Sequence, residues 1–438
     1  MTSKQTIEEI YQKKSQHEHI LARPDSYVGS TNKNEARMYV YDETINKIVQ
    51  KDIKYAPALY KIFDEILVNA ADNKIRDPSM DCIRIDICKE ENKIKIWNNG
   101  SGIPVILHKE EKILVPTMIF GHLLTSSNYN DTEKKVTGGR NGFGAKLCNI
   151  FSDKFIVETS STKSKKAFHQ IWTKNMTEAQ EPKTRPSIDK DFTSVTFHPD
   201  LSKFGMTELE DDIIQLFMRR AFDIAATCNG VKVFLNGKRL NIKSFKDYVE
   251  LYLRNSECEE SPKIVHERIS PRWEVALALS NEGFQQVSFV NSISTTKGGT
   301  HIDYVCDKIT NKLLESAKKK AGNKSSISLK SYHIKTHLKV FVNCLVENPT
   351  FDSQTKELLT LPAKSFGSKC EPSDKFHAAA SKCGVLDNVM SWMKFKAMEK
   401  MDKQCHKSKH TKLKGIPKLD DANEAGTKSS HNCTLILT

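Results

Sequence analysis

The stretch at 58–76 constrains this chain more than any other. Leu59, Ile62, Phe63, Ile66 and Ala70 recur at i, i+3 and i+4 spacing, which predicts a helix with one apolar face. At 100° per residue, Glu65, Asn69, Asp72 and Arg76 fall within about 60° of one another. They form a polar stripe beside the apolar arc, not opposite it, so the stripe borders a core and can line a pocket. There the amide oxygen of Asn69 can ligate a hard cation such as Mg²⁺. The Glu65 carboxylate, one turn earlier, can polarise a water. Arg76 can pair with a carboxylate and hold the stripe in place. The same four residues also fit an exposed helix face laced with i, i+4 pairs.

A hairpin follows: Ile83, Ile85 and Ile87 alternate, Glu91-Asn92-Lys93 turns, and Ile94 and Ile96 alternate again. After it comes Asn98-Asn99-Gly100-Ser101-Gly102. Glycines at alternate positions let backbone approach a flat ligand, and the Asn98 side chain can accept from an exocyclic amine. An ordinary Asn-Gly turn would read the same way. A third motif, Gly138-Gly139-Arg140-Asn141-Gly142-Phe143-Gly144-Ala145-Lys146, runs into a helical stretch at 145–151. Its backbone N–H groups and the helix start can hold phosphates; a flexible surface loop is the alternative. It is not a Walker A loop, because Ala145-Lys146 stand where Lys and Ser/Thr are required. It also lacks the Gly-x-Gly-x-x-Gly spacing of a dinucleotide fold.

The rest of the chain reads in two parts. Residues 1–57 are mixed and polar, with turns at Arg23-Pro24-Asp25 and Gly29-Ser30. Helices are predicted over 112–124 and 208–227, and strands over 154–159, 167–173, 192–198 and 231–235. A composition shift puts a domain junction within 240–265. Beyond it come strands near 272–280, 285–291 and 338–346, and a helix over 302–320 that ends in Lys318-Lys319-Lys320. A further helix covers 385–404. The stretch 433–438 reads as a buried strand, unusual at a chain end, as though the chain stopped inside another domain.

With 438 residues, two to four domains are expected. Lys plus Arg outnumber Asp plus Glu by 67 to 54, a net charge of +13 that points to a polyanionic partner. The 11 cysteines are scattered without a Cys-x-x-Cys pair, which excludes a disulfide scaffold and a zinc knuckle. Cys405 and His410 have no second pair at metal-binding spacing and read as surface residues of a lysine-rich stretch. The N-terminus lacks a signal-peptide core, and no run of eighteen apolar residues occurs, so an intracellular protein without a membrane partner is expected.

In order and spacing, the three motifs resemble the Bergerat (GHKL) ATP site shared by gyrase-type topoisomerases, Hsp90, histidine kinases and mismatch-repair ATPases. The chain is more specifically similar to the eukaryotic type IIA DNA topoisomerase family. The likeness is carried by Tyr60–Asp77 (YKIFDEILVNAADNKIRD), Ile96–Pro104, Leu123–Tyr129 (LLTSSNY), Lys134–Ser152, Asn348–Glu357 (NPTFDSQTKE) and Leu413–Ala422, which span nearly the whole chain. The resemblance implies an α+β fold: a GHKL ATPase sandwich with an N-terminal arm over 1–245, and a ribosomal-S5-domain-2-like transducer sandwich over 246–385. A linker helix and the start of a Toprim domain would occupy 386–438.

It also implies roles. Glu65 would be the general base, and Asn69 would hold Mg²⁺ and the phosphates, with Asp72 and Arg76 beside the nucleotide. Asn98 would read the adenine amine. Ser126, Ser127 and Asn128 would contact ribose and phosphate. Gly139, Arg140, Asn141, Gly142, Phe143, Gly144, Ala145 and Lys146 would form a lid around the triphosphate; Phe143 stands where the family has Tyr. Gln354, Thr355 and Lys356 would reach the γ-phosphate from the transducer, Lys356 as a catalytic cation.

Tyr11, on the arm, would reach the nucleotide of a partner protomer, making a homodimeric gate around double-stranded DNA. Lys318, Lys319 and Lys320 would face that DNA without reading sequence, in the nucleus. A Toprim acidic cluster would begin just past Thr438, so ATP hydrolysis without DNA cleavage is expected. A non-catalytic DNA-binding or interaction fragment of the same fold is the alternative. A chaperone or histidine kinase of the superfamily fits less well, since no phosphoacceptor helix precedes the ATP site.

Overall fold

The structure, a computed structural model, describes residues 7–126, 132–139, 141–187, 190–253, 263–321, 329–405, 422 and 424–436. The chain enters through two short helices, α1 (Ile7–Ile10) and α2 (Gln16–Ala22). Ser15 caps α2, its hydroxyl accepting from the Glu18 N–H while the Glu18 carboxylate accepts from the Ser15 N–H. A two-stranded antiparallel ribbon follows, β1 (Asn34–Asp42) with β2 (Lys47–Tyr55). These elements fall inside the polar stretch 1–57. The ribbon hides there because it buries only Val40, Tyr41, Ile48 and Ile53, so apolar alternation never develops along it.

Helix α3 (Pro57–Arg76) starts on a proline whose fixed φ suits the first turn. It stops at Asp77, ahead of Pro78. Strands β3 (Cys82–Cys88) and β4 (Lys93–Asn99) form the expected hairpin. Next come α4 (Val115–Gly121) and α5 (Gly144–Ile150), then strands β5 (Ser152–Ser161), β6 (Lys166–Thr173), β7 (Glu178–Ala179), β8 (Lys183–Pro186) and β9 (Phe192–Pro199). Helix α4 is shorter than the predicted 112–124. An isolated bridge between Leu107 and Leu114 holds the preceding residues extended, and Pro116 sets the helix start.

Helix α6 (Asp211–Thr227) and strands β10 (Lys232–Leu235) and β11 (Lys238–Arg239) complete a nine-stranded sheet. Its order is β11-β10-β3-β4-β9-β5-β6-β7, with β8 also on β6. One face, with Ile83, Ile85, Ile94, Ile96, Phe155 and Phe197, is fully covered by α3, α5 and α6. Phe63 of α3 sits against Phe217 of α6 with ring centroids 4.2 Å apart. Burying such a ring stabilises by about 1.5–3 kcal/mol.

Helix α7 (Phe245–Leu253) leads into a second body. It comprises strands β12 (Val265–Ser270), β13 (Trp273–Leu279), β14 (Gln285–Val290), β15 (Ile293–Ser294), β16 (Gly298–Gly299), β17 (Leu338–Cys344) and β18 (Leu358–Leu359), with helices α8 (Thr300–Ala321), α9 (Ser331–Lys335), α10 (Asp374–Ala380) and α11 (Val385–Cys405). Its five-stranded sheet runs β12-β13-β17-β14-β15. Strands β14 and β17 are parallel, and α8 lies in the connection between them. Both bodies are sheets with packed helices, the α+β class expected.

A separate apolar cluster ties the bodies together. It takes Tyr41 and Ile48 from the ribbon, Phe222 and Ala226 from α6, Phe245 and Tyr248 from α7, and Ala276, Phe289 and Phe341 from the second sheet. Beside it, the ammonium of Lys339 lies 4.9 Å from the Tyr39 ring centroid and 5.4 Å from that of Tyr252. Burial lowers that lysine to about 8.

Over its described part the buried strand expected at 433–438 does not form: residues 433–436 are in no strand, and Leu435 and Ile436 are 76% and 77% exposed, while 437 and 438 lie outside the described residues. A strand needs a ladder partner, and none lies alongside among the described residues. Among those residues no helix is long and apolar enough to cross a membrane. Residue 410 and most of the lysine-rich stretch around it lie outside the described residues.

Candidate active site

The polar stripe of α3 lines a pocket. Glu65, Asn69, Asn73 and Arg76 border a cavity of about 190 Å³. Strands β4 and β9 form its floor through Ile96, Asn98, Thr193 and Val195, and Gly139 with the turn Asn141–Lys146 forms its rim. Gln354 and Lys356 close it from the loop ahead of β18. Glu65 is only 3% exposed, so the exposed-face reading of this helix is set aside.

Asn98 is buried on β4. Its amide nitrogen donates to the Asn99 carbonyl at 2.8 Å, which leaves its side-chain oxygen to accept from a ligand amine. Gly100 and Gly102 do not line the cavity; Ser101 and Ile103 do. The two glycines answer packing instead of a flat ligand. A Cβ on Gly102 would stand 1.8 Å from the Ser160 carbonyl oxygen, and Gly100 has φ +86°.

Asp72 is buried but does not border the cavity. Its two oxygens accept the N–H groups of Gly138 and Gly139 at 2.8 and 2.9 Å, pinning the start of the glycine turn. Burial pushes its carboxyl up, partly opposed by those two bonds. Arg76 borders the cavity, yet among the described residues no carboxylate comes within ion-pair distance of it, so the expected pairing does not form.

The glycine turn closes over Glu65. A Cβ on Gly144 would lie 2.1 Å from Glu65 Oε2, so only glycine lets α5 begin there. Lys146 donates to the carbonyls of Thr125 and Gly142, both at 2.6 Å, stapling the turn to the segment after α4. Burial lowers Lys146 to about 8. Phe143 packs on Tyr27 with ring centroids 5.9 Å apart. Ser126 borders the cavity; Ser127, Asn128 and Arg140 lie outside the described residues.

From the second body, Gln354 accepts from Asn141 at 2.9 Å. Thr355 turns away, its hydroxyl engaged with Ser353 and Glu357. Lys356 is held at φ +61°, a conformation that costs a non-glycine residue about 1–3 kcal/mol. Its ammonium meets Glu65 Oε1 at 2.8 Å.

Two residues that the helical pattern did not single out complete this corner. Lys61 reaches the same Glu65 oxygen at 2.9 Å and Asp64 at 3.3 Å. Asp64 in turn accepts from Arg220 Nε of α6 at 2.6 Å, and Arg220 also donates to the Ser292 carbonyl of the second body. Their signal was present: Lys61 and Asp64 are charges set among apolar helix positions, with Lys61 one turn before Glu65. Burial alone would raise the Glu65 carboxyl, but the ammonium groups of Lys356 and Lys61 overcome it and hold the acid below its ordinary value.

Tyr11 is 79% exposed and does not border the cavity of its own chain. Lys318, Lys319 and Lys320 are exposed at the end of α8, Lys320 lying 3.8 Å from Asp387. Among the described residues no cluster of three His, Cys, Asp or Glu could hold a metal by itself. Asn69 offers one hard oxygen donor to the cavity, which suits a cation that takes its remaining ligands from phosphate and water.

The chain is also similar to known proteins. Residues 55–203 match the family described as histidine kinase-, DNA gyrase B- and HSP90-like ATPase, and residues 244–409 match DNA gyrase B. DNA topoisomerase 2 top-2 of Caenorhabditis elegans is 61% identical over 99% of this chain, and DNA topoisomerase 2-alpha of Mus musculus 58%. In each case the chain spans 28% of the relative's length. The crystal structure of the ATPase region of Saccharomyces cerevisiae topoisomerase II is 50% identical with a TM-score of 0.82, covering 88% of this chain and 99% of that one. The ATPase and transducer domains of DNA topoisomerase II from Balamuthia mandrillaris give 44% and 0.85, covering 90% and 100%.

Proposed function

This chain belongs to the eukaryotic type II DNA topoisomerase family, and on that premise we propose that it binds and hydrolyses ATP and, as a homodimer, gates the passage of double-stranded DNA. One observation carries the reading: a buried carboxylate on α3 and a strained lysine from the other body meet inside a cavity rimmed by a glycine turn. A base and a cation brought together from two bodies suit a reaction in which water attacks a terminal phosphate while charge develops on it.

Asn98 accepts the adenine amine. The turn from Gly139 to Lys146 wraps the triphosphate, with Ser126 nearby. Asn69 holds Mg²⁺, which neutralises phosphate charge. Glu65 orients and polarises the attacking water. Gln354 and Lys356 reach the γ-phosphate, so the second body closes on ATP and relaxes once the phosphate is gone. Domains divided near residue 245 fit this motion, the second acting as transducer. Tyr11 reaches a partner protomer's nucleotide, which makes dimerisation depend on ATP. The lysines at 318–320 contact DNA phosphates, and a double-stranded DNA partner in a eukaryotic cell implies the nucleus.

The test is Glu65→Ala. Steady-state turnover is expected to fall by about 10²–10⁴-fold while nucleotide binding persists, because the base is lost and the phosphate contacts stay. Turnover close to that of the unaltered protein would overturn the assignment. A chain that binds no nucleotide at all would instead favour a non-catalytic module of the same fold.

A further inference from the structure

Around Glu65 the charges do not balance. Glu65 and Asp64 supply two negative charges, and Lys356, Lys61 and Arg220 supply three positive ones, each within ion-pair distance of the next along the cluster. Asp223 lies 3.8 Å from Arg220 and 3.5 Å from Arg219, so counting this further pair adds one charge of each sign and leaves the surplus unchanged. Asp72, further along α3, is satisfied by two backbone N–H groups. All five side chains of the cluster are less than a tenth exposed. In such a dry place an unmatched charge is costly, whereas matched pairs persist.

Lys356 and Lys61 bind the same atom, Glu65 Oε1, at 2.8 and 2.9 Å. If Lys356 leaves, two carboxylates face two cations and nothing is orphaned. If Lys61 were missing, Lys356 would be needed where it is.

We propose that Lys61 is a positioning residue that stands in for Lys356 as the counter-ion of Glu65, and so frees Lys356 to move to the terminal phosphate of a nucleoside triphosphate. This rests on the ATP reading above and adds to it a condition for nucleotide discrimination. Lys356 is the surplus cation of the cluster, and its strained backbone is the part of the cluster that can be released. Arg220 fixes Asp64 from α6, so that Lys61 can turn its charge to Glu65.

The variant Lys61→Met keeps side-chain length and leaves the cluster balanced two against two, so it is expected to fold. In it, Lys356 is held on Glu65. Calorimetric titration with ADP and with a non-hydrolysable ATP analogue, both with Mg²⁺, reads the effect. The preference for the triphosphate over ADP is expected to fall about tenfold, the worth of one charge-assisted hydrogen bond, with ADP affinity unchanged within about twofold. Lys61→Arg is expected to keep the original preference.

The double variant Lys61→Met with Glu65→Gln removes the carboxylate that holds Lys356 and is expected to regain the preference in the same titrations, a rescue that a purely structural role for Lys61 would not give. An unchanged preference in Lys61→Met, an unfolded Lys61→Met, or failure of the double variant to recover would each overturn the inference while leaving ATP binding intact. An unaltered protein that took up neither nucleotide would remove the ATP reading and this inference with it.

Discussion

At the scale of single residues, the corner around Glu65 sets both chemistry and stability. Burial would raise the carboxyls of Asp64 and Glu65. For Asp64 the guanidinium of Arg220 and the ammonium of Lys61 outweigh it, and for Glu65 the two lysines do. Both acids therefore sit below their unfolded values and contribute stability at neutral pH. That contribution is complete above the unfolded range, near 4.5 for Glu65, and drains away as pH falls through the lower folded values. Thermal melts between pH 3 and 7 are expected to show a steep loss of Tm below about pH 4.5, shallower in a Glu65→Gln variant. Equal slopes in the two proteins would contradict the assignment. The residues that carry this chemistry were partly legible. Glu65 and Asn69 stand out because polar groups bordering an apolar arc need a reason. Arg220 did not, because its partner Asp64 lies 156 residues away in sequence and only the packing of α6 on α3 brings them together.

At the scale of elements, the start of α5 is the tightest fit. Gly144 has no room for a side chain above Glu65 Oε2. Gly144→Ala is expected to lower ATP turnover by about 10²-fold through displacement of the carboxylate, with a smaller effect on nucleotide affinity. Kinetics showing an unchanged kcat would rule out that close approach. The glycine turn and its helix were readable as a unit, though a surface loop fitted the same four glycines, and only the packing of Asp72 against Gly138 and Gly139 ties the turn to α3. The ribbon of β1 and β2 was not, because only Val40, Tyr41, Ile48 and Ile53 are buried on it, and charged residues such as Glu35, Arg37, Lys51, Asp52 and Lys54 interrupt any alternation. The Ser15–Glu18 capping box is written in the sequence yet does not stand out there, being a short signal in a polar stretch. Gly100 and Gly102 show the opposite error: a pattern that suited a ligand is required by the Ser160 carbonyl and a left-handed turn.

At the scale of the whole molecule, the positive excess of +13 bears on a partner and not on the fold. If α8 ends against DNA, replacing Lys318, Lys319 and Lys320 by alanine is expected to weaken duplex binding equally for all sequences. The slope of log affinity against log salt should then shrink by about 0.9 for each phosphate that is no longer neutralised. A slope unchanged within error would remove α8 from the DNA path. The two sheets with their helices were foreseeable from alternation and spacing, while the terminal stretch 433–436 was not, since a strand-like composition says nothing about whether a neighbour is there to pair with it.

The aromatic cluster shared by the ribbon, α6, α7 and the second sheet has a mechanical consequence. It fastens the two bodies through apolar side chains, whereas nearer the cavity they are joined by polar links: the Lys356–Glu65 ion pair and hydrogen bonds such as Asn141 to Gln354 and Asn291 to the Thr137 carbonyl. Under the ATP reading proposed above, breaking those polar links would let the tip that carries Lys356 travel while the apolar grip held.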